Sequence, residues 1–429
     1  MWNCVETDPF KKGKAYFVGT KYKSDDFTPY IFKTEDYGKT WTKITNGIGA
    51  MHFARCLRAD KRKSGLLYCG TEFGMYISYD DGANWKPFQL NLPMVPVTDL
   101  TIKENDLIVA TQGRSFWVLD DLTPVQQTDN GILDKNLFAF SVNDAYRYDG
   151  NQNPNPKNAG MNPPNGSVFN YYLKNISDSA KVSIDLLDKN KKLIKSFSTK
   201  AKEKDDKIEV SNGMNQFVWN MLYPPAEKVE GQIIWHGTVP GPKASPGQYF
   251  YKIKAEKDSV EGSFVIKANP VYNVSQPDYE EQFNFLIAVR DKFNDIQKAG
   301  KNIRDIRKQI NDFMDKQGKD VPKEIKQQAD TINKQMTVIE EALHQTKAKS
   351  GQDVLNFPIR LDDKISGLYD FASSGNAAPA KQVKEAFAEL GGQADVQLNN
   401  LKKIMDEDLV KFNAMIREKA LPVIGVKKD

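Results

Sequence analysis

Thr34-Glu35-Asp36-Tyr37-Gly38-Lys39-Thr40-Trp41 and Ser78-Tyr79-Asp80-Asp81-Gly82-Ala83-Asn84-Trp85 decide the fold. Each places a hydroxyl residue, then Asp, Gly and Trp at one spacing, forty-four residues apart. The spacing has a physical logic. Hydroxyl and carboxylate accept backbone N–H groups inside a tight turn, Gly supplies positive φ, and Trp returns to pack between neighbouring sheets.

Outward from these turns the chain repeats. AYFVGTKYKSDDFTPYIFKTEDYGKTWTKI (15–44) is echoed by LLYCGTEFGMYISYDDGANWKPF (66–88), and faintly by LIVATQGRSFWVLDDLTPV (107–125). Each copy has an apolar strand ending in Gly-Thr or Ala-Thr, a loop, and an aromatic strand running into acids. An offset of about 40 to 50 residues is the length of a four-stranded propeller blade. The count predicts three blades, at 1–48, 50–94 and 96–149. The third copy, Trp117-Val118-Leu119-Asp120-Asp121, lacks the Gly and the second aromatic and reads as a degenerate terminal blade.

Both turns fit the Asp-box pattern, so Thr34, Asp36, Gly38 and Trp41, with Ser78, Asp80, Gly82 and Trp85, read as structural. Their carboxylates go to the main chain rather than to catalysis. A core position for Trp41 predicts that Trp41→Ala destabilises by roughly 3 to 5 kcal/mol.

These motifs resemble the final blades of sortilin-like Asp-box (BNR) repeat propellers of exported bacterial proteins, a likeness covering the first 125 residues. Members are often labelled glycosyl hydrolases because sialidases share the Asp box, a label that transfers no chemistry. A sialidase-type site needs an arginine triad, a Tyr and Glu pair and an acidic proton donor. The arginines here are few: Arg55, Arg58 and Arg62 crowd one hairpin, and Arg114 and Arg147 stand apart. No catalytic residue is assigned. Three blades leave an apolar sheet face open, which implies missing upstream blades of the same protein. They would carry the export signal that MWNCVETDPFKKGKAYF lacks, and with it a secreted, periplasmic or cell-surface location.

The rim opposite the Asp boxes is the expected ligand face. It holds Lys21 to Pro29, Glu72-Phe73-Gly74 and Gln112-Gly113-Arg114-Ser115. Arg114, with Phe116 and Trp117, is the candidate ligand-binding group, since a guanidinium beside aromatics suits a protein, peptide or glycan partner. The competing reading is an Arg114 salt bridge to a neighbouring blade.

Composition sets the bounds. The chain has 429 residues, 40% hydrophobic and 27% charged, which suggests about three domains. Net charge of +4 does not point to nucleic acid, and no apolar run reaches the ~20 residues of a membrane span. Cys56 and Cys69 flank the DKRKSG turn and read either as a cross-strand disulfide or, favoured, as two small buried side chains. No cofactor is implied.

DGNQNPNPKNAGMNPPNG (149–166) reads as a linker. Beyond it SVFNYYL, KVSIDLL, KLIKSFS, NQFVWNM, QYFYKIKA and SVEGSFVI alternate as strands of an antiparallel sandwich. GMNQFVWNM with SPGQYFYKIKA resembles the immunoglobulin-like modules of exported bacterial proteins. His236, beside Trp235, reads as a packed side chain. The expected domains are 1–150, a partial propeller; 151–270, linker plus sandwich; and 271–429, helices.

In the last of these, Leu286, Val289, Phe293, Ile296, Ile303, Ile306, Ile310 and Phe313 form a seam that skips one turn at Gly300. Val321-Pro322 opens a second helix, a shorter one covers Leu361 to Phe371, and a fourth carries Val383 to Ile416. Short connections predict an up-and-down bundle. Glu341 and His344 make a single Glu-x-x-His without a partner motif, so no metal site is assigned. The leading function is a non-catalytic exported binding or scaffold protein. The alternatives are a glycoside hydrolase-like enzyme with its site in missing blades, and an assembly protein oligomerising through the bundle.

Overall fold

The computed structural model describes residues 1–128, 131–148, 159–177, 179–227, 229–318 and 321–421. Most of the expected linker, 149–158, lies outside the described residues.

The N-terminal part is a row of three antiparallel meanders. The first joins β1 (Trp2–Thr7), β2 (Ala15–Lys21), β3 (Asp26–Thr34) and β4 (Thr42–Lys43) in chain order. The second joins β5 (Ala54–Ala59), β6 (Leu67–Thr71), β7 (Gly74–Ser78) and β8 (Lys86–Pro87) likewise. The third has only β9 (Val97–Lys103), β10 (Asp106–Thr111) and β11 (Phe116–Leu119). Strands β6 and β7 are buried at every position, as a sheet covered on both faces requires. Tyr16, Val18 and Ile31 of the first sheet share a core with Leu57, Cys69 and Trp85. Tyr68, Met75 and Ile77 turn the other way, onto Leu100, Ile102 and Val109.

The third meander ends early. Its fourth strand is replaced by α1 (Thr123–Gln127), whose first turn holds Pro124, a residue with no backbone N–H to give a strand ladder. The segments expected to finish that blade pair elsewhere: β12 (Leu137–Ala139) with Tyr171, Tyr172 and Leu173, and β13 (Ala145–Arg147) with Ile266, Lys267 and Ala268. The two-sheet unit therefore recruits chain from before residue 150.

That unit comprises β14 (Ser167–Leu173), β15 (Val182–Leu187), β16 (Leu193–Ser198), β17 (Gly213–Trp219), β18 (Gly247–Ala255) and β19 (Asp258–Ala268) with β12 and β13. Its sheets are ordered β12-β14-β17 and β13-β19-β18-β15-β16. They face each other across Phe169, Tyr171, Trp219, Ile184, Tyr251 and Phe264. Tyr249, Tyr251 and Ile253 point inward, following the two-residue period of a half-buried strand.

Helices follow: α2 (Gln276–Gln317), α3 (Lys323–Leu343), α4 (Leu361–Ser373), α5 (Lys381–Lys403), a π-helical turn at Ile404–Asp408, and α6 (Leu409–Glu418). Ser275 and Asp278 cap the start of α2 reciprocally. The skipped turn at Gly300 has a cause: a Cβ there would meet His344 Nε2 at 2.4 Å. One core runs through all the helices and takes in Ala226 and Val239 from the long β17–β18 crossover.

One expectation changes, at Trp41, and of the two readings left open for Cys56 and Cys69 the favoured one holds. Trp41 is 44% exposed, against 3% for Trp85. The Trp85 indole reaches back onto the preceding sheet and donates to Ile44 O at 2.9 Å, whereas Trp41 donates to Gly38 O within its own turn. The Trp of such a turn packs on the sheet before it, and the described residues place none before the first. Cys56 and Cys69 are free. In register Cys56 faces Gly70 and Leu57 faces Cys69, so the two thiols enter the cores on opposite sides of the sheet.

Candidate binding rim

The row of sheets has two rims of different chemistry. One carries the two Thr/Ser-x-Asp-x-Gly-x-x-Trp turns. Asp36 accepts the Thr40 N–H at 2.9 Å and its hydroxyl at 2.7 Å, and Thr34 Oγ1 accepts the Gly38 N–H at 2.9 Å. Asp80 and Ser78 repeat this with Asn84 N–H at 2.8 Å and Gly82 N–H at 2.9 Å. Gly38 and Gly82 both have φ of +84°. At Asp36 those bonds hold the carboxyl below its ordinary value. At Asp80 burial opposes ionisation, and the Asn84 and Ser78 bonds outweigh it.

A second device on the same rim escaped the sequence reading. Asp8 Oδ1 accepts the N–H groups of Phe10 and Lys11 while Oδ2 takes the hydroxyl of Tyr16, eight residues on. Asp60 does the same with Arg62, Lys63 and Tyr68, again eight residues on. The recurring Asp-x7-Tyr is visible in the sequence, its copies 52 residues apart against 44 for the first motif. Between the first two sheets the cluster grows: Asp81 receives Lys14 at 2.7 Å, Lys33 at 2.9 Å and the Tyr16 hydroxyl. Burial disfavours the Asp81 charge, yet these donors hold its carboxyl below the ordinary value; burial, then the Asp81 and Asp8 carboxylates, lift the Tyr16 hydroxyl well above its own. Asp81 thus fastens the second sheet to the first.

The opposite rim is built from the β2–β3, β6–β7 and β10–β11 turns and the crossovers between sheets. Glu72 N–H donates to Phe53 O, Gly74 N–H to Val95 O and Gln112 N–H to Pro96 O, which joins these loops into one surface. Tyr22 stacks on Phe53 at 5.1 Å, and the Arg55 guanidinium lies 5.2 Å from the Phe53 ring while pairing with Glu72 at 2.5 Å. Next to it His52 packs on Phe73 at 4.9 Å and bonds the Tyr76 hydroxyl at 2.8 Å. Met51, Phe73, Leu90 and Met94 are exposed. His52 and Phe53 come from the crossover between sheets and Arg55 from the start of β5, positions no turn motif announces.

Arg114 stands at the end of this rim, exposed, with its guanidinium on Gly113 O at 3.0 Å. Among the described residues no acid pairs with it. Trp117 donates to Arg114 O at 2.9 Å and leans toward the second sheet. Phe116 alternates to the other face and is 77% exposed, so the structure gathers Arg114 and Trp117 and sends Phe116 away. Of the other arginines, Arg58 pairs with Asp99, and buried Arg147 bonds Ala244 O between sandwich and helices. The arrangement offers aromatic and aliphatic contact beside a guanidinium, the chemistry of recognition.

Elsewhere His236 Nδ1 and the N–H groups of Trp235 and His236 bond Asp363. His344 Nδ1 bonds Asp362 at 2.8 Å, both buried. Among the described residues no group of three or more His, Cys, Asp or Glu is placed to hold a metal, and no helix is long and apolar enough to cross a membrane.

No family model matches the chain, and no curated relative matches it. Solved structures show local likeness. YCF48 bound to D1 peptide is 20% identical over 28% of this chain and 36% of that one, with a TM-score of 0.22. The Niastella koreensis GH74 enzyme is 16% identical over 40% and 28%, with a TM-score of 0.23. The extracellular domain of a hybrid two-component system from B. thetaiotaomicron is 12% identical over 63% and 31%, with a TM-score of 0.22. The chain thus spans 28% to 36% of the length of these chains. These neighbours are β-propeller proteins; at such TM-scores the description of the three sheets rests on their own strand order.

Proposed function

We propose that the three meanders are blades of an Asp-box propeller of the sortilin-like type, followed by an immunoglobulin-like sandwich and a helical bundle. In this reading the chain is a non-catalytic binding or scaffold part of an exported protein, engaging a protein, peptide or glycan through the rim of Tyr22, Phe53, Phe73 and Arg114. One observation carries it: Asp36 and Asp80 of the repeated turns are bonded to main-chain amides on one rim, while the other presents aromatic rings and the Arg114 guanidinium, which has no acid partner among the described residues. The test is a binding screen of the labelled chain on peptide and glycan arrays, repeated with Phe73→Ala and Arg114→Ala. Ligands retained by both variants, or steady turnover of an aryl glycoside by the wild-type chain, would overturn the reading.

A second proposal rests on the face of the first sheet. Trp2 is 81% exposed and packs on Phe17 beside Phe32 and Trp41. This is an apolar surface of the kind Trp85 finds covered. Further blades of the same protein fit there, and in a longer chain carrying them Trp41 should lose its accessibility to acrylamide quenching. Unchanged quenching would remove the proposal.

A further inference from the structure

The third meander, the outer edge of the second and the three-stranded sheet of the sandwich enclose a cleft of about 740 Å³. That size lies within the range of ligand sites. Its walls are aromatic: Tyr79 and Phe88 on one side, Tyr146 and Tyr148 on the other. Its charged lining residues, among those described, are all acids: Asp120, Asp121 and Asp144. Two of them are already engaged. Asp121 accepts from Asn105 and from the Thr123 N–H, and Asp144 pairs with Lys267 at 2.6 Å. Asp120 has no bonded or ion-paired partner among the described residues. Burial, then the charges of Asp106 and Asp121, raise its carboxyl above the ordinary value; two ammonium groups flank the cleft, Lys267 on Asp144 and Lys63 over the Tyr79 ring, and neither pairs with Asp120.

An apolar cleft with tyrosine faces and one unpaired carboxylate complements a cation on an apolar stem. Guanidinium fits best, because its plane stacks on rings and its weak hydration lowers the cost of entry. We propose that the cleft binds an arginine side chain presented by an extended peptide of a partner protein, the cation meeting Asp120 and the stem lying along Tyr146 and Tyr148. The cleft borders the rim at Leu90 but contains none of Tyr22, Phe53, Phe73 or Arg114, and it does not rest on the function proposed for them.

Calorimetric titration of the full chain with a blocked peptide of alternating Pro and Arg tests this, against its Glu counterpart and against agmatine. The Arg peptide should bind and the Glu peptide should not. Asp120→Asn, at an exposed strand end, should leave melting unchanged and weaken binding about tenfold. Tyr146→Ala should weaken it about fivefold, while Arg114→Ala on the rim should leave it untouched. Equal binding by the Asp120→Asn variant or by the Glu peptide overturns the proposal. Agmatine binding as tightly as the peptide would also overturn it, by making the cleft a small-amine site.

Discussion

Trp41 and Trp85 hold the same place in the same turn and have different surroundings, so they calibrate what the motif itself contributes. Trp85→Ala should cost roughly 3 to 5 kcal/mol through the cavity it leaves, and Trp41→Ala under about 1 kcal/mol, both read from urea melts. A large loss at Trp41 would mean that its face is covered in solution. The Asp8, Asp81 and Lys14 cluster sets a pH window by sign. The two carboxyls lie below the ordinary 3.8, so their contribution is complete above that value and is lost as pH falls through the lower folded values. Lys14, above 10.5 in the folded chain, contributes fully below that value and loses its share as pH rises through the folded one. Acid titration followed by Trp85 fluorescence should therefore show the first two sheets loosening below pH 3.8, and Asp81→Asn should flatten that change.

Elements with a strong period were legible, and those whose partners are distant were not. SVFNYYL and β14 coincide, because alternation in one strand is fixed by its own two faces. β12 and β13 are three residues each and join sheets whose other strands begin beyond residue 166. So short a run carries no period, and proximity to the third meander misassigned them. The helix seam was legible down to its defect at Gly300, although the cause of the defect, His344, lies 44 residues on. Gly300→Ala should cost about 1 to 3 kcal/mol by crowding that imidazole. Gly392→Ala, in a helix with open space around it, should stabilise by up to about 1 kcal/mol. Thermal melts of the two variants should move in opposite directions.

Across the whole molecule the least legible feature is the crossover between β17 and β18. It has no hydrophobic period, and its partners are far away in sequence. Glu227 N–H reaches Asn294, Val229 N–H reaches Gln297, and Asp363 binds Trp235 and His236. Asp363→Ala should strip amide protection from Trp235 and His236 by about tenfold in hydrogen exchange, with the meander amides unchanged. Loss of protection throughout would instead mean that the helices depend on this contact to fold. The rim was half legible for the same reason: turns announce Phe73 and Arg114, while His52 sits in a crossover and Arg55 at the start of β5, where only the neighbouring sheet gives them a place.

This crossover joins sandwich and helices a second time, in parallel with the short connection from β19 to α2. Two attachments at separate points resist torsion where one would swivel, so tension entering along the chain is shared between covalent backbone and the Asp363 contacts. Pulled in an optical trap, the joint should yield in a discrete step before either unit unravels, and Asp363→Ala should erase that step.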